Sequence, residues 1–184
     1  MAHNQFELLK QRRFAPFFWT QALGAFNDNV FKNALVAMVT FVLVSLSKEQ
    51  ESTFIQLSAG LFILPFFLFS ATSGQLSERF DKAKLAQAVK WMEIAIMLIA
   101  SVGFIYKNVP LLMVCVFGMG LHSTLFGPLK YSLLPQVLRP EELTGGNGLV
   151  EMGTFVAILL GTILGTNLIN IPVTGAYWVA GATI

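Results

Sequence analysis

The 184-residue chain is 55% hydrophobic and only 12% charged, with a mean hydropathy of +0.67 and a net charge of +2. Soluble domains carry roughly 25% charged residues, so this composition excludes a soluble globular domain and points to an all-α integral membrane protein. The single cysteine, Cys115, sits in an apolar run without a partner, which excludes a disulfide framework and suits a small buried hydrophobe.

Met1 to Arg13 is polar and basic, with Lys10, Arg12 and Arg13 just ahead of the first apolar run. Phe6, Leu8 and Leu9 among these charges suit a short amphipathic surface segment, with a frayed terminus as the alternative. The run that follows is too long for a signal peptide and shows no small-residue cleavage site. A first span is expected over residues 14–46 and a short acidic loop over Ser47 to Ser52. A second span follows over 54–76, with Pro65 near its centre as a kink former. A charged loop, Ser77 to Lys84, leads to a third span over 85–106, and Lys107-Asn108-Val109-Pro110 reads as a tight turn. The fourth span covers 111–138 and carries His122, Lys130, Tyr131, Pro128 and Pro135. The fifth covers 146–169, with Glu151 in its first turns. A sixth apolar stretch, 172–184, is too short to cross the hydrocarbon core, so the chain is expected to stop in mid-helix. Lys10, Arg12, Arg13, Arg79, Lys82, Lys84, Lys90 and Arg139 fall on one side of this topology and only Lys48 and Lys107 on the other. That bias puts the N-terminus in the cytoplasm.

The first span contains Gly24-Ala25-Phe26-Asn27-Asp28-Asn29-Val30-Phe31-Lys32-Asn33-Ala34. At 1.5 Å per residue the span has length to spare, so Asp28 lies at hydrocarbon depth. A charge there costs about 3 kcal/mol or more and needs a partner, a proton or water. Asp28 and Lys32 stand four apart and share a helix face. They form either part of a polar pathway or a self-neutralising pair that fixes helix packing. Lys130 either reaches that pathway or snorkels to the interface. Glu93 and Glu151, close to span ends, read as interfacial, and His122 as a hydrogen-bonded packing residue. Gly118, Gly120, Gly161 and Gly165 are expected to allow close helix packing.

Gly74-Gln75-Leu76-Ser77-Glu78-Arg79-Phe80-Asp81-Lys82-Ala83-Lys84 resembles the major facilitator superfamily loop G-x-L-x-D-R-x-G-R-K, in the expected place between spans two and three. Gly74, Leu76 and Arg79 match, and Glu78 stands for the acid; Asp81 replaces the second glycine and Ala83 the last base. The resemblance implies the N-terminal six-helix half of that fold, with Gly74, Glu78, Arg79 and Lys82 latching one conformation across the cytoplasmic seam. An ordinary basic loop is the alternative.

Three stretches narrow the resemblance: Thr20 to Leu35, Phe126-Gly127-Pro128-Leu129-Lys130-Tyr131-Ser132-Leu133-Leu134-Pro135, and Asn147-Gly148-Leu149-Val150-Glu151 on to Gly161. Together they resemble the bacterial lysophospholipid transporter family. The opening Gln5 to Phe14 is similar to fusions in which such a transporter precedes an acyltransferase and an acyl-carrier-protein ligase. The resemblance implies a multi-pass inner-membrane protein that flips lysophospholipid inward for reacylation. Its implied partners are membrane lipid, a C-terminal transporter half, and an acyltransferase with acyl carrier protein, fused or associated. No nucleic acid and no cofactor are implied. The substrate-binding candidates are Asp28, Asn29, Lys32, Lys130 and Tyr131. Asp28 takes an ammonium or pairs with Lys130, Lys130 takes a phosphate, and Glu151 gates or neutralises Lys130. An exporter of another amphiphile or drug, or a membrane anchor for a fused acyltransferase, are the rival functions. No nucleophile elbow, phosphate loop or metal-ligand spacing suggests an enzyme in this segment.

Overall fold

A computed structural model describes residues 5–43, 46–172 and 174–183. The parts of the first and sixth spans and of the N-terminal segment that fall on residues 1–4, 44–45, 173 and 184 lie outside the described residues. Regular structure among the described residues is entirely helical. A 3₁₀ turn, Gln5–Lys10, precedes α1 (Ala15–Ala37), which runs on into a π-helical turn, Met38–Val42. Then come α2 (Lys48–Arg79), α3 (Lys82–Ile105), α4 (Val109–Val137), a 3₁₀ turn Pro140–Glu142, α5 (Leu143–Ile169) and the short α6 (Gly175–Thr183).

Four helical runs are long and apolar enough to cross a membrane: α2, α3, α4 and the run Pro140–Ile169 that contains α5. α1 is not among them, although its 23 residues give about 35 Å of helix. Gln21, Asn27, Asp28, Asn29, Lys32 and Asn33 dilute it. Such a helix reaches across a bilayer only when its polar face is covered by protein or water.

Two expected loops are corrected. Ser47 to Ser52 is not a loop: Ser47 caps α2 by accepting from the Gln50 amide, and Gln50 Oε1 accepts from the Ser47 amide in return. This reciprocal cap holds the acidic Glu49 and Glu51 in the first turn, where the helix dipole favours them. Ser77 to Lys84 shrinks to Phe80 and Asp81, because Asp81 caps α3 through the Lys84 amide at 2.9 Å. The expected turn at Lys107 is tight: Lys107 has φ of +52°, and Asn108 caps α4 through the Leu111 amide at 3.0 Å.

α1 packs chiefly on α5, α2 on α4, and α3 on α4 and α6. Exchanging the first three helices with the last three turns the α1–α5 pair into the α4–α2 pair and leaves α3–α6 unchanged. Short connections make neighbouring helices antiparallel, so the two triplets run in opposite senses, as in inverted repeats. Glycine permits both matched contacts. A Cβ on Gly161 of α5 would stand 2.6 Å from the Phe26 carbonyl oxygen, and one on Gly165 would strike the Val30 carbonyl. A Cβ on Gly120 of α4 would strike the Phe62 carbonyl of α2. Between the triplets lies a core of Phe31, Leu35, Met38, Met97, Phe104, Leu112 and Met119 that also buries Cys115. The Phe31 and Phe104 rings meet edge to face at 5.7 Å.

The outer faces stay apolar. Phe67 is 91% exposed on α2, and Phe155 and Leu159 are exposed on α5. In water such faces would drive association; against acyl chains they are at home.

Candidate functional site

α1, α3 and α4 bring six polar side chains together in the interior of the bundle. Glu93 is the hub. It is buried, and its Oε2 takes the Lys90 ammonium at 2.6 Å while Oε1 accepts from Asn27 Nδ2 at 3.1 Å. His122 Nε2 stands 3.2 Å from Oε2, close enough to feel its charge but off the line of a hydrogen bond, and its Nδ1 has no partner among the described residues. The imidazole stacks on Phe126 with planes 10° apart, and the Lys90 ammonium lies 4.7 Å from the same ring's centroid. Gly24 leaves the space that Lys90 occupies, since a Cβ there would strike its ammonium. A cavity of about 370 Å³ opens beside Gly24, Asn27, Lys90 and Glu93.

Asp28 flanks this hub. Its Oδ2 accepts from Ser123 of α4 at 3.0 Å, while Oδ1 is buried and lacks a donor among the described residues. Lys32, His122 and Glu93 are all near enough to act on its charge. Asp28 and Lys32 do not form an ion pair. The Lys32 ammonium sits 4.2 Å from the Phe62 ring centroid instead.

The other expected site residues fall elsewhere. Asn29 turns away from Asp28 towards α5, and its Nδ2 is spent on the Ala25 carbonyl at 2.7 Å. Asn33 likewise bonds its own helix and Thr162 of α5. The expected pairing of Asp28 with Lys130 is corrected. Asp28 meets α4 at Ser123, seven positions before Lys130, a rise of roughly 10 Å. Lys130 pairs with Glu151 of α5 at 3.2 Å, and the Tyr131 hydroxyl donates to the same carboxylate oxygen at 3.2 Å. Glu78 and Arg79 are exposed at the end of α2, Lys82 is half-buried at the start of α3, and Gly74 has open space around it. None of Glu78, Arg79 and Lys82 forms an ion pair among the described residues.

Sequence reasoning missed the hub. Glu93 was expected at the interface because charges crowd the start of the third span. In fact α3 begins at Lys82, which carries Glu93 about three turns inward. The available signal was one polar group near the middle of each of three apolar runs: Asn27, Glu93 and His122.

A second polar contact holds the end of the bundle at which α1 begins and α4 ends. Arg13 clamps Glu142 with two bonds of 2.7 Å from one nitrogen and donates to the Val137 carbonyl. These bonds, with the Arg139 amide, hold the Glu142 carboxyl below the ordinary 4.5. Leu8 is buried beside Phe14, Leu138 and Leu149 under this clamp.

Comparison with known proteins bears on this arrangement. A lysophospholipid transporter LplT of Pectobacterium carotovorum is 26% identical over 156 residues, covering 85% of this chain and 35% of the relative. Those of Serratia proteamaculans and Cronobacter sakazakii are 28% and 25% identical, covering 79% and 89% of the chain. The chain thus spans about a third of the length of the relatives it matches. No solved structure matches it. The profile of the Major Facilitator Superfamily matches residues 18–184, nearly the whole chain and every helix that carries the polar cluster, so the chain belongs to that superfamily.

Proposed function

We propose that residues 14–184, preceded by the cytoplasmic segment 1–13, are the N-terminal transmembrane bundle of a carrier in the bacterial inner membrane. It flips lysophospholipids towards the cytoplasmic side for reacylation, by alternating access about a site at mid-depth. The observation that carries the reading is Asp28: one of its carboxylate oxygens is buried at membrane depth with no donor among the described residues. The ammonium of a phosphoethanolamine head supplies that donor. The similarity to relatives named lysophospholipid transporters supports the substrate class. The basic N-terminus and Arg139 loop support the orientation. The exposed Glu78 and Arg79 are free to meet a C-terminal half, which fits a latch at the cytoplasmic seam. Glu151 neutralises Lys130 and, with Tyr131, ties α4 to α5, a contact suited to gating. A fused or associated acyltransferase with acyl carrier protein would consume the delivered lipid.

The test is uptake of labelled lysophosphatidylethanolamine by spheroplasts. Asp28→Asn is expected to abolish uptake at normal membrane expression. Wild-type uptake by that variant refutes the role of Asp28. A wild-type protein that moves drugs or sugars but no single-chain phospholipid refutes the substrate class.

A further inference from the structure

Lys32, Lys90 and Lys130 are the lysines placed inside the helices, away from their ends. Two of them are neutralised by carboxylates: Lys90 by Glu93 at 2.6 Å and Lys130 by Glu151 at 3.2 Å. Lys32 forms no ion pair among the described residues; its ammonium rests over the Phe62 ring at 4.2 Å. A ring face attracts an ammonium without neutralising it, so at this depth the charge still calls for an anion.

The surroundings of Lys32 say what kind of anion. It borders a cavity of about 280 Å³ between α1, α2 and α4, walled by Leu35, Val36, Ile55, Ile63 and Val116. The polar group among the walls, the Ser58 hydroxyl, already donates to the Ile55 carbonyl at 2.7 Å. A small hydrophilic anion would gain nothing from such walls, whereas an anion carrying a hydrocarbon chain fills them. Asp28, with its unpartnered oxygen, stands one turn back on the same face, where side chains four apart have Cβ atoms about 5–6 Å from each other. α1 therefore offers a carboxylate and an ammonium one turn apart, near enough to feel each other but joined by no ion-pair contact, with an apolar chamber opening at the cation.

We propose that Lys32 holds the phosphate of a zwitterionic single-chain phospholipid whose ammonium lies on Asp28, and that the Phe62 chamber takes the first part of its acyl chain. The inference rests on the lysophospholipid reading above and deepens it. It moves the phosphate from Lys130, whose charge Glu151 already meets, to Lys32. The two-carbon spacer of phosphoethanolamine sets its opposite charges about as far apart as one helical turn sets Asp28 and Lys32, and only a lipid bearing both charges satisfies both residues.

The experiment uses the full-length transporter in proteoliposomes and the concentration dependence of lysophosphatidylethanolamine uptake. Lys32→Gln is expected to raise KM about ten-fold or more, the range for losing a charge-assisted hydrogen bond, and Lys32→Arg to return most of it. An unchanged KM in Lys32→Gln overturns the inference, whether or not the rise appears in Lys130→Gln, and leaves the lysolipid reading standing. A wild-type protein with no lysolipid uptake overturns that reading itself. Wild-type protein supplies a second measurement independent of how the variants fold. A monoalkyl phosphate is expected to compete with uptake about ten-fold better than a monoacylglycerol of equal chain length; equal competition overturns the inference.

Discussion

Replacing Glu93 by glutamine keeps the shape of the hub and removes its central charge. Glu93 is 6% exposed, and the Lys90 side chain beside it is 20% exposed. Breaking a buried ion pair from one side costs about 3–5 kcal/mol, because the remaining charge stays buried and uncompensated. Lys90 keeps its contact with the Phe126 ring, 4.7 Å away and worth about 1 kcal/mol, so its charge is not left wholly without a partner. Asn27 loses a charged acceptor as well. The expected loss for Glu93→Gln is therefore about 2–4 kcal/mol. Lys90→Gln strands Glu93 in the same way. The double variant removes both charges and is expected to be less destabilised than the sum of the singles by about 1–3 kcal/mol. Unfolding of the detergent-solubilised protein, followed by tryptophan fluorescence across a denaturant series, gives all four corners of the cycle. A Glu93→Gln protein as stable as wild type, or strictly additive losses, would refute the claim that Glu93 is the buried counter-ion of Lys90 at the hub.

Two further outcomes follow from packing and from the N-terminal clamp. Gly165→Ala places a methyl group against the Val30 carbonyl, backbone that cannot yield. It should destabilise by about 1–3 kcal/mol, whereas Gly60→Ala, with open space around it, should be neutral or stabilising by up to about 1 kcal/mol; the same unfolding assay compares them, and equal effects would sink the close-contact account. Glu142 has its carboxyl held below 4.5 by the Arg13 bonds first and the Arg139 amide second, so its contribution is fully present above pH 4.5 and is lost as pH falls through the lowered value. Hydrogen-exchange protection of residues 5–13, taken relative to the intrinsic rate at each pH, should hold from neutral pH down to about 4.5 and fall below it, and Arg13→Ala should remove that dependence; protection lost as pH rises would reverse the assignment.

The all-helical membrane architecture was legible because hydropathy records where lipid lies. Helix ends were less legible for the same reason. The charged stretches at Ser47 and Asp81 leave the hydrocarbon, yet they cap helices rather than break them. Asp28 stood out as a charge in the middle of an apolar run. Glu93 did not, because nearby Lys82, Lys84 and Lys90 made it look like part of a loop. Rotation about each helix axis was the hardest feature to read. In a soluble helix the polar stripe marks the outer face, but here lipid-facing Phe155 and core-facing Leu149 are both apolar, so the pattern is nearly flat. That is why Asn29, one residue from Asp28, could not be assigned to the α5 side in advance. The same ambiguity hid the choice between Asp28 and Glu151 as the partner of Lys130.

The pairing of α1 with α5 has a bearing on how the protein is made. α1, which is not apolar enough to count among the candidate spans, emerges before its main neighbour, which begins at Leu143. At ribosomal speeds of about 5–20 residues per second, α1 waits on the order of ten seconds before that neighbour exists. Throughout that interval Asp28 and Lys32 lie in a nascent segment without its main packing partner, where each charge costs about 3 kcal/mol against bare lipid.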